Sequence, residues 1–258
     1  MKKIKTLVVC KYPKNSKDSK ICNLGIKEGF DIQYQWKDNL KPADLEKVDL
    51  VISIGGDGTA LSAGHYIVHQ KLLAVNANPK KSEGALTTLN IDELDKKLEQ
   101  IISGNYKVEK LERIEVSING KMQKPIALNE IFIANEKAYL VSKYILKIRK
   151  GNNLREEGHK SSGLIFSTGT GSTAWFKSAG GKPFSPQAKY VKMIVREPYL
   201  WRLSNFSITK EVVDEHEEVE VIPLTKTVLA IDSIREFCLK AGDKIKIKIS
   251  KWPLIRIR

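Results

Sequence analysis

Residues 48–69 read VDLVISIGGDGTALSAGHYIVH and are the stretch most informative about the architecture. The continuous apolar run at 48–54 is typical of a β-strand that is covered on both faces. Three glycines and one aspartate follow this run, and from Thr59 onward small and apolar residues recur at helical spacing. We therefore predict a strand, a glycine turn and a helix. Such units build α/β layers in which ligands bind at the carboxyl ends of the strands.

The neighbouring segments extend this layer and then give way to strands. Residues 4–10 and 71–77 are predicted strands, residues 17–30 a helix with interior glycines, and residues 91–104 the clearest helix of the sequence. After that helix the pattern changes to short strands, with a hairpin turn at Asn119–Lys121. The further predicted strands are 106–118, 124–134, 139–150, 162–168, 191–197, 219–224, 227–233 and the Lys/Ile run near the end.

These elements predict two domains in an α/β protein, with the boundary near residue 95. Residues 1–95 form an α/β (Rossmann-like) domain that carries the glycine loop. Residues 96–258 form a mostly-β, sandwich-like domain. In the Lys/Ile run, Lys244, Lys246 and Lys248 share one strand face while the isoleucines share the other, which favours a half-buried strand with a solvated face.

The composition is that of an ordinary globular protein. Of the 258 residues, 41% are hydrophobic and 29% are charged, and no apolar run approaches the roughly 20 residues that are needed to cross a bilayer. The formal net charge of +14 suits a nucleic acid, a membrane surface or an anionic small molecule. No nucleic-acid-binding motif accompanies the lysines. We therefore predict a cytoplasmic protein that binds neither nucleic acid nor membrane.

The cysteines and histidines give no metal motif. Cys10, Cys22 and Cys238 are widely spaced, without a CxxC pattern. His65 and His69 are four residues apart and are predicted to share a helix face, but no third ligand lies near them in the sequence. We interpret both histidines as surface or packing residues and predict no protein-held metal site.

The glycine loop has two interpretations. In the first, Gly55, Gly56 and Gly58 let the backbone approach a phosphate, and the amides at the start of the following helix bind it. Asp57 then contacts Mg²⁺ or takes the proton of an attacking hydroxyl. In the second, the loop is a tight turn and Thr59 caps the helix. The loop matches neither GxGxxG nor a Walker motif.

Two further stretches favour the ligand-binding interpretation. Residues 161–183, SSGLIFSTGTGSTAWFKSAGGKP, again leave a strand through a turn rich in glycine and hydroxyl residues. Asn129 and Glu130 lie side by side in an otherwise apolar strand, where burial requires hydrogen-bond partners. A ribose diol is a natural partner. The alternative is an edge or bulge position that is open to water.

The motifs GGDGT, NE and SGLIFSTGTGSTAWFKSAGG occur in the order and at roughly the spacings of the ATP-dependent NAD kinases. The chain resembles this family from about residue 48 to residue 245, and it is most similar to the divergent branch that includes the mitochondrial NAD kinases. The resemblance implies an α/β domain joined to a β-sandwich-like domain. It also implies transfer of the ATP γ-phosphoryl to the adenosine-ribose 2′-hydroxyl of NAD, with Asp57 as the base.

The resemblance also implies the remaining site residues. Asn129 and Glu130 match the pair that holds the dinucleotide, and Asn76 follows a strand before a ligand-facing loop. The expected ligand-binding residues at the family's other motif positions are Gly55, Gly56, Gly58, Thr59, Lys160, Ser162, Thr173, Ala174, Trp175 and Ser178.

The sequence departs from the family pattern at several of these positions. Gly169 replaces a proline, Ser162 an aspartate and Trp175 a tyrosine, and Lys160 stands where arginine or histidine is common. A later DGQ-like motif survives only as Asp232-Ser233. Lys160 and Lys177 are candidates to offset the triphosphate charge, and both are equally well interpreted as solvated surface residues.

The family implies Mg²⁺ or another divalent cation as cofactor, ATP and NAD as substrates, and a homodimer or homotetramer. The alternatives are a lipid or sugar kinase of the same superfamily, or a non-catalytic dinucleotide-binding protein. Binding of nucleic acid through charge is a third alternative, and it predicts salt-sensitive binding.

Overall fold

The computed structural model describes residues 3–12, 27–80, 84–199 and 207–258. The chain divides into two compact units, Met1–Lys110 with Pro253–Arg258, and Leu111–Trp252. The division falls after Lys110 rather than near residue 95, because the helix at 94–102 packs into the apolar core of the first unit. The last residues of the chain also return to the first unit, which the sequence analysis did not foresee.

The first unit (unit 1) is built on a largely parallel sheet. Strands are numbered in chain order through both units, and the order in this sheet is β2-β1-β3-β4-β19-β6, with β5 beside β4. The bounds are β1 Ile4–Cys10, β2 Phe30–Trp36, β3 Leu50–Gly55, β4 Lys71–Asn76, β5 Leu89–Asn90, β6 Val108–Leu111 and β19 Leu254–Ile257. All six residues of β3 are buried, as the continuous apolar run predicts.

The described residues of unit 1 contain two α-helices, α1 at Asp57–Gly64 and α2 at Leu94–Ile102. The helix predicted to start near Thr59 is present as α1, which begins at Asp57, but it ends at Gly64 and does not continue to His69. Most of the helix predicted at 17–30 lies outside the described residues. Its last part was wrong, because Gly29 has a φ of +83° and Phe30 begins β2.

The second unit (unit 2) contains two antiparallel sheets in its described residues, ordered β11-β10-β15-β18-β7-β8 and β14-β13-β12-β9-β16-β17. The bounds in the first sheet are β7 Ile114–Ile118, β8 Lys121–Met122, β10 Ser142–Lys150, β11 Asn153–Ser161, β15 Glu217–Pro223 and β18 Ile245–Ile249. In the second they are β9 Glu130–Asn135, β12 Gly163–Ser167, β13 Tyr190–Arg196, β14 Lys210–Asp214, β16 Thr227–Ile231 and β17 Arg235–Leu239. A short helix, α3, spans Trp175–Ser178.

One apolar core joins the two sheets of unit 2. It combines side chains such as Leu146 and Ile247 of the first sheet with Phe166 and Leu229 of the second. Two sheets that bury their facing side chains in this way form a sandwich, so the predicted α/β domain with a mostly-β, sandwich-like domain is confirmed.

Local details of unit 2 also follow from the sequence pattern. In β18, Ile245 and Ile247 are buried while the intervening lysines are exposed, as the alternation predicts. The predicted hairpin turn is present, because Asn119 and Gly120 have φ values of 51° and 78° and Ile118 pairs with Lys121. Two positive φ values in succession are the signature of a type I′ turn.

Candidate functional site

The glycine loop of unit 1 lies at the carboxyl end of β3. Gly55 is the last strand residue and pairs with Asn76 at the end of β4, and Gly56 is the N-cap of α1. A Cβ on Gly55 would lie 2.2 Å from Thr59 Oγ1, so only glycine allows the helix to start this close to the strand. Thr59 is buried inside the first turn and is not the cap.

The Asp57 carboxylate is held by two backbone amides of the segment that follows β4. The Leu86 amide donates to Oδ1 at 2.8 Å, and the Ala85 amide donates to Oδ2 at 3.0 Å. Each carboxylate oxygen can accept a second hydrogen bond. The orientation of the carboxylate is therefore fixed while acceptor capacity remains for a ligand hydroxyl or a cation.

The remaining loop positions have different surroundings. Gly58 is exposed, and a Cβ added there would meet no atom within 4 Å, so the backbone beside Asp57 is open to a ligand. Asn76 is buried, and its Oδ1 accepts a hydrogen bond from the Asn78 amide at 3.1 Å. Asn76 Nδ2 lies 2.9 Å from the position of a Cβ on Gly84. Asn76 therefore shapes the loop after β4.

Glu130 begins β9 in unit 2 and is only 4% exposed. Burial, followed by the nearby charge of Asp232, raises the pKa of Glu130 to about 7. The Ser233 hydroxyl contacts Oε1 at 3.4 Å. Three buried oxygens, Glu130 Oε2, Asn129 Oδ1 and Thr170 Oγ1, have no hydrogen-bond partner among the described residues. Such atoms require a partner, and a polyhydroxyl ligand would supply one.

Asp232 fixes the backbone on which Asn129 and Glu130 stand. Its carboxylate accepts hydrogen bonds from the amides of Leu128, Asn129 and Glu130 at 2.8, 2.8 and 2.9 Å. Asp232 itself has a φ of 50°, a conformation that aspartate tolerates better than most residues. Asp232, in the remnant of the DGQ-like motif, therefore has a structural role, because it holds the backbone of residues 128–130.

A buried arginine contributes to the electrostatics around Asp232. Arg113 is fully buried, and its Nε donates to the Trp252 carbonyl at 2.6 Å. Burial lowers the pKa of Arg113 to about 10, and the charge of Asp232 opposes this shift. The guanidinium is therefore still charged at neutral pH and offsets the negative charge of Asp232.

The glycine-rich turn after β12 packs directly on Asn129. The Thr168 amide donates to the Asn129 carbonyl at 2.9 Å, and a Cβ on Gly171 would lie 2.2 Å from that same oxygen. A Cβ on Gly169 would lie 1.9 Å from the Ser185 carbonyl oxygen. The backbone at Ser185 thus occupies the space that the ring of the family's usual proline would need.

Trp175 forms a cluster with an aromatic and a cationic side chain. Its ring centroid lies 4.4 Å from that of Phe132, and the Arg196 guanidinium carbon lies 5.5 Å from the indole centroid and 5.7 Å from the phenyl centroid. These are cation–π distances. The Ser162 amide donates to the Arg196 carbonyl at 3.0 Å, so Ser162 is adjacent to this cluster.

The other expected site residues are polar or small and accessible. Thr173, Ala174, Lys177 and Ser178 are exposed, and Lys160 is half-buried in β11. His65 is buried and His69 is exposed, and both lie beyond the end of α1. The described ranges contain no group of three or more His, Cys, Asp or Glu side chains that could hold a metal ion.

The sequence analysis missed several residues that shape the surroundings of Asp57 in unit 1 and of Glu130 and Trp175 in unit 2. It did not name Ala85 and Leu86, because their contribution comes from backbone amides. It also did not name Arg196 or Arg113. Asp232, by contrast, was visible in the sequence as part of the Asp232-Ser233 remnant.

None of the helices in the described ranges has the length and apolar character that are needed to span a bilayer.

Comparison with known proteins identifies one family along residues 3–258. Residues 3–106 match the ATP-NAD kinase N-terminal domain, and residues 107–258 match the ATP-NAD kinase C-terminal domain. A probable NADH kinase from Oryza sativa subsp. japonica is 30% identical over 83% of this chain and 71% of that protein. An NAD kinase from Thermoplasma acidophilum is 28% identical over 83% of this chain and 75% of its own length.

Two solved structures share the fold. An NAD kinase from Archaeoglobus fulgidus in complex with ATP superposes with a TM-score of 0.75 at 22% identity, covering 99% of this chain and 94% of that one. A yeast NADH kinase complexed with NADH superposes with a TM-score of 0.79 at 17% identity, covering 99% and 83%. The chain belongs to the ATP-NAD kinase family and is by that membership an ATP-dependent phosphotransferase acting on NAD.

Proposed function

We propose that Asp57 takes the proton of the adenosine-ribose 2′-hydroxyl of NAD as the γ-phosphoryl of ATP is transferred to it, giving NADP. One observation carries this proposal: the carboxylate is held by the Ala85 and Leu86 amides at the carboxyl end of a parallel strand, beside the open backbone of Gly58. A base must be oriented towards the proton it removes. The two amides provide that orientation without using all the acceptor sites of the carboxylate.

The phosphates of the donor are bound by the loop and the start of α1. Gly55, Gly56 and Gly58 allow close approach of backbone amides, and the helix N-terminus favours negative charge. Thr59 and Asn76 lie in the same part of unit 1. Phosphoryl transfer requires mainly alignment and charge neutralisation, and an amide-lined loop at the start of a helix supplies both.

The dinucleotide is bound by residues of unit 2. The buried oxygens of Asn129, Glu130 and Thr170 accept hydrogen bonds from the ribose hydroxyl groups of NAD. Trp175 offers an aromatic face, which is held in place by contacts with Phe132 and Arg196. Lys160, Ser162, Thr173, Ala174 and Ser178 complete the proposed set.

We also propose Mg²⁺ as the divalent cation. Because the described residues contain no cluster of metal ligands, the ion would be carried mainly by the substrate phosphates and by water, and Asp57 keeps its role as the base. Mg²⁺ usually keeps several waters and binds substrate phosphates rather than an all-protein cage. When bound, the ion offsets the charge of the triphosphate.

The proposed oligomeric state follows from the family, and the proposed location and partners follow from the sequence. We propose a cytoplasmic homodimer or homotetramer, with neither nucleic acid nor a membrane as partner. The net charge of +14 supports a site for two polyanionic substrates.

The test is formation of NADP from NAD, ATP and Mg²⁺, measured with a coupled NADP-specific dehydrogenase. We expect the wild type to form NADP and Asp57→Asn to lower kcat by about 100-fold or more, with an unchanged circular dichroism spectrum. Asp31→Asn, which removes an exposed carboxylate of β2, is the matched control and retains wild-type kcat. Near-wild-type turnover in Asp57→Asn refutes the base assignment.

A further inference from the structure

Arg256 of β19 has an unusual environment for an arginine. It is only 8% exposed and forms an ion pair with Glu109 of β6, which is also largely buried. Its Nη1 donates a hydrogen bond to the Leu86 carbonyl oxygen at 2.8 Å. Arginine is almost never this deeply buried unless its charge and its donors are satisfied. Here a carboxylate and a backbone carbonyl satisfy them.

Leu86 connects this arginine to the glycine loop. Its carbonyl accepts from Arg256, and its amide donates to Asp57 Oδ1 at 2.8 Å. The preceding residue, Ala85, donates to the other oxygen of the same carboxylate. The segment that orients Asp57 is therefore held from its other side by a buried cation.

Arg256 is well placed to hold this segment, because its backbone belongs to the sheet. It pairs in register with Leu72 of β4, and β4 in turn pairs with β3, the strand that leads into Asp57. The guanidinium thus extends from the same hydrogen-bonded sheet as the strand that leads into Asp57. A site held by sheet strands is more exact than one held by a loop alone.

We propose that Arg256 is a positioning residue for Asp57, acting through the Leu86 peptide. The inference rests on the proposed function, in which Asp57 takes the proton. A displacement of about 1 Å in a reacting group lowers the rate by as much as about 100-fold. Loss of the Arg256 contact therefore lowers kcat, while substrate-binding groups elsewhere in the chain keep KM nearly unchanged.

Arg258 distinguishes this role from a simple structural ion pair. Its Nη1 lies 3.4 Å from the second oxygen of Glu109, and its side chain is 62% exposed. Both arginines thus pair with Glu109, whereas the hydrogen bond to the Leu86 carbonyl comes from Arg256. Arg258→Gln is therefore the matched control for Arg256→Gln.

The experiment compares the full-length variants by steady-state kinetics and by hydrogen exchange at the Leu86 amide, followed by NMR. For Arg256→Gln we expect kcat to fall by about 10-fold with KM for NAD and ATP within about twofold, and the Leu86 amide to exchange at least about 10-fold faster. Arg256→Lys restores part of kcat. Arg258→Gln leaves kcat and the exchange rate at wild-type values.

A second variant removes the risk that an unpaired buried charge unfolds the protein. Glu109→Gln combined with Arg256→Gln leaves neither charge in the interior, and we expect the same loss of kcat and of protection. Wild-type kcat in either variant overturns the proposal, and so does unchanged exchange at Leu86. If the wild type itself forms no NADP, the proposed function and the catalytic role of Arg256 both fail. The exchange rates then still decide whether Arg256 holds the segment.

Discussion

Substitution of Glu130 by glutamine is expected to change how the stability of the protein depends on pH. Burial and the charge of Asp232 raise the pKa of this carboxyl from 4.5 to about 7 in the folded state. The folded protein therefore binds the proton more tightly than the unfolded chain does. As a result, the stability that Glu130 contributes is fully present below pH 4.5 and is lost as the pH rises to about 7.

The size of the effect follows from the shift. One pKa unit corresponds to about 1.4 kcal/mol, so a rise from 4.5 to about 7 corresponds to about 3 kcal/mol of unfolding free energy. Glutamine has nearly the same shape and no charge to bury. We therefore expect Glu130→Gln to match the wild type near pH 4.5 and to be more stable by about 3 kcal/mol at pH 8.

The assay is urea denaturation followed by circular dichroism between pH 4.5 and pH 8. Glu236→Gln, at an exposed position of β17, is the control, and its curve against pH should be parallel to that of the wild type. The reasoning is refuted if Glu130→Gln also runs parallel to the wild type across this range. Such a result would mean that Glu130 is ionised in the folded protein at no cost.

Three other substitutions test the surroundings of the site. Asp232→Asn replaces one carboxylate oxygen with an NH2 group, which cannot accept a hydrogen bond from the backbone amide it faces. Unfolding should therefore become easier by about 1–3 kcal/mol in thermal denaturation, and the Kd for NAD should rise in calorimetric titration. Gly169→Ala places a Cβ against the Ser185 carbonyl and should cost about 1–3 kcal/mol in urea denaturation, whereas Gly158→Ala, which has open space around it, should cost little. Gly58→Ala should leave the thermal midpoint unchanged while raising KM for ATP in the coupled assay, since its Cβ would stand where a phosphate approaches; an unchanged KM would place the phosphates elsewhere.

The strands and the fold class were predictable because their signals are local. The buried run of β3 and the alternation in β18 each reveal burial from a few consecutive residues. The strand at Phe30–Trp36 was missed although its sequence FDIQYQW alternates apolar and polar residues, a pattern that is typical of a half-buried strand. Its first residue falls in the helix predicted at 17–30, and the structure shows the segment paired with β1 instead.

The candidate site was predictable only where side chains carry it. Asp57, Asn129 and Glu130 stand out because polar residues follow or interrupt apolar strands. The amides that hold Asp57 have no sequence signature, since any residue other than proline supplies one. Arg256 and Arg113 look like ordinary surface cations in the sequence, and their burial follows from contacts between distant parts of the chain.

The return of β19 to the first sheet has a consequence for how the chain is made. Domains generally fold as units, starting from the N-terminal side as the ribosome releases them. Here unit 2 is continuous in sequence, whereas the sheet of unit 1 awaits Leu254–Ile257, which emerge after the whole of unit 2. Until then the edge of β4 that binds β19 is open to pairing with other chains. During synthesis the later unit can therefore be complete before the earlier one, and the edge of β4 is exposed to other chains until β19 pairs with it.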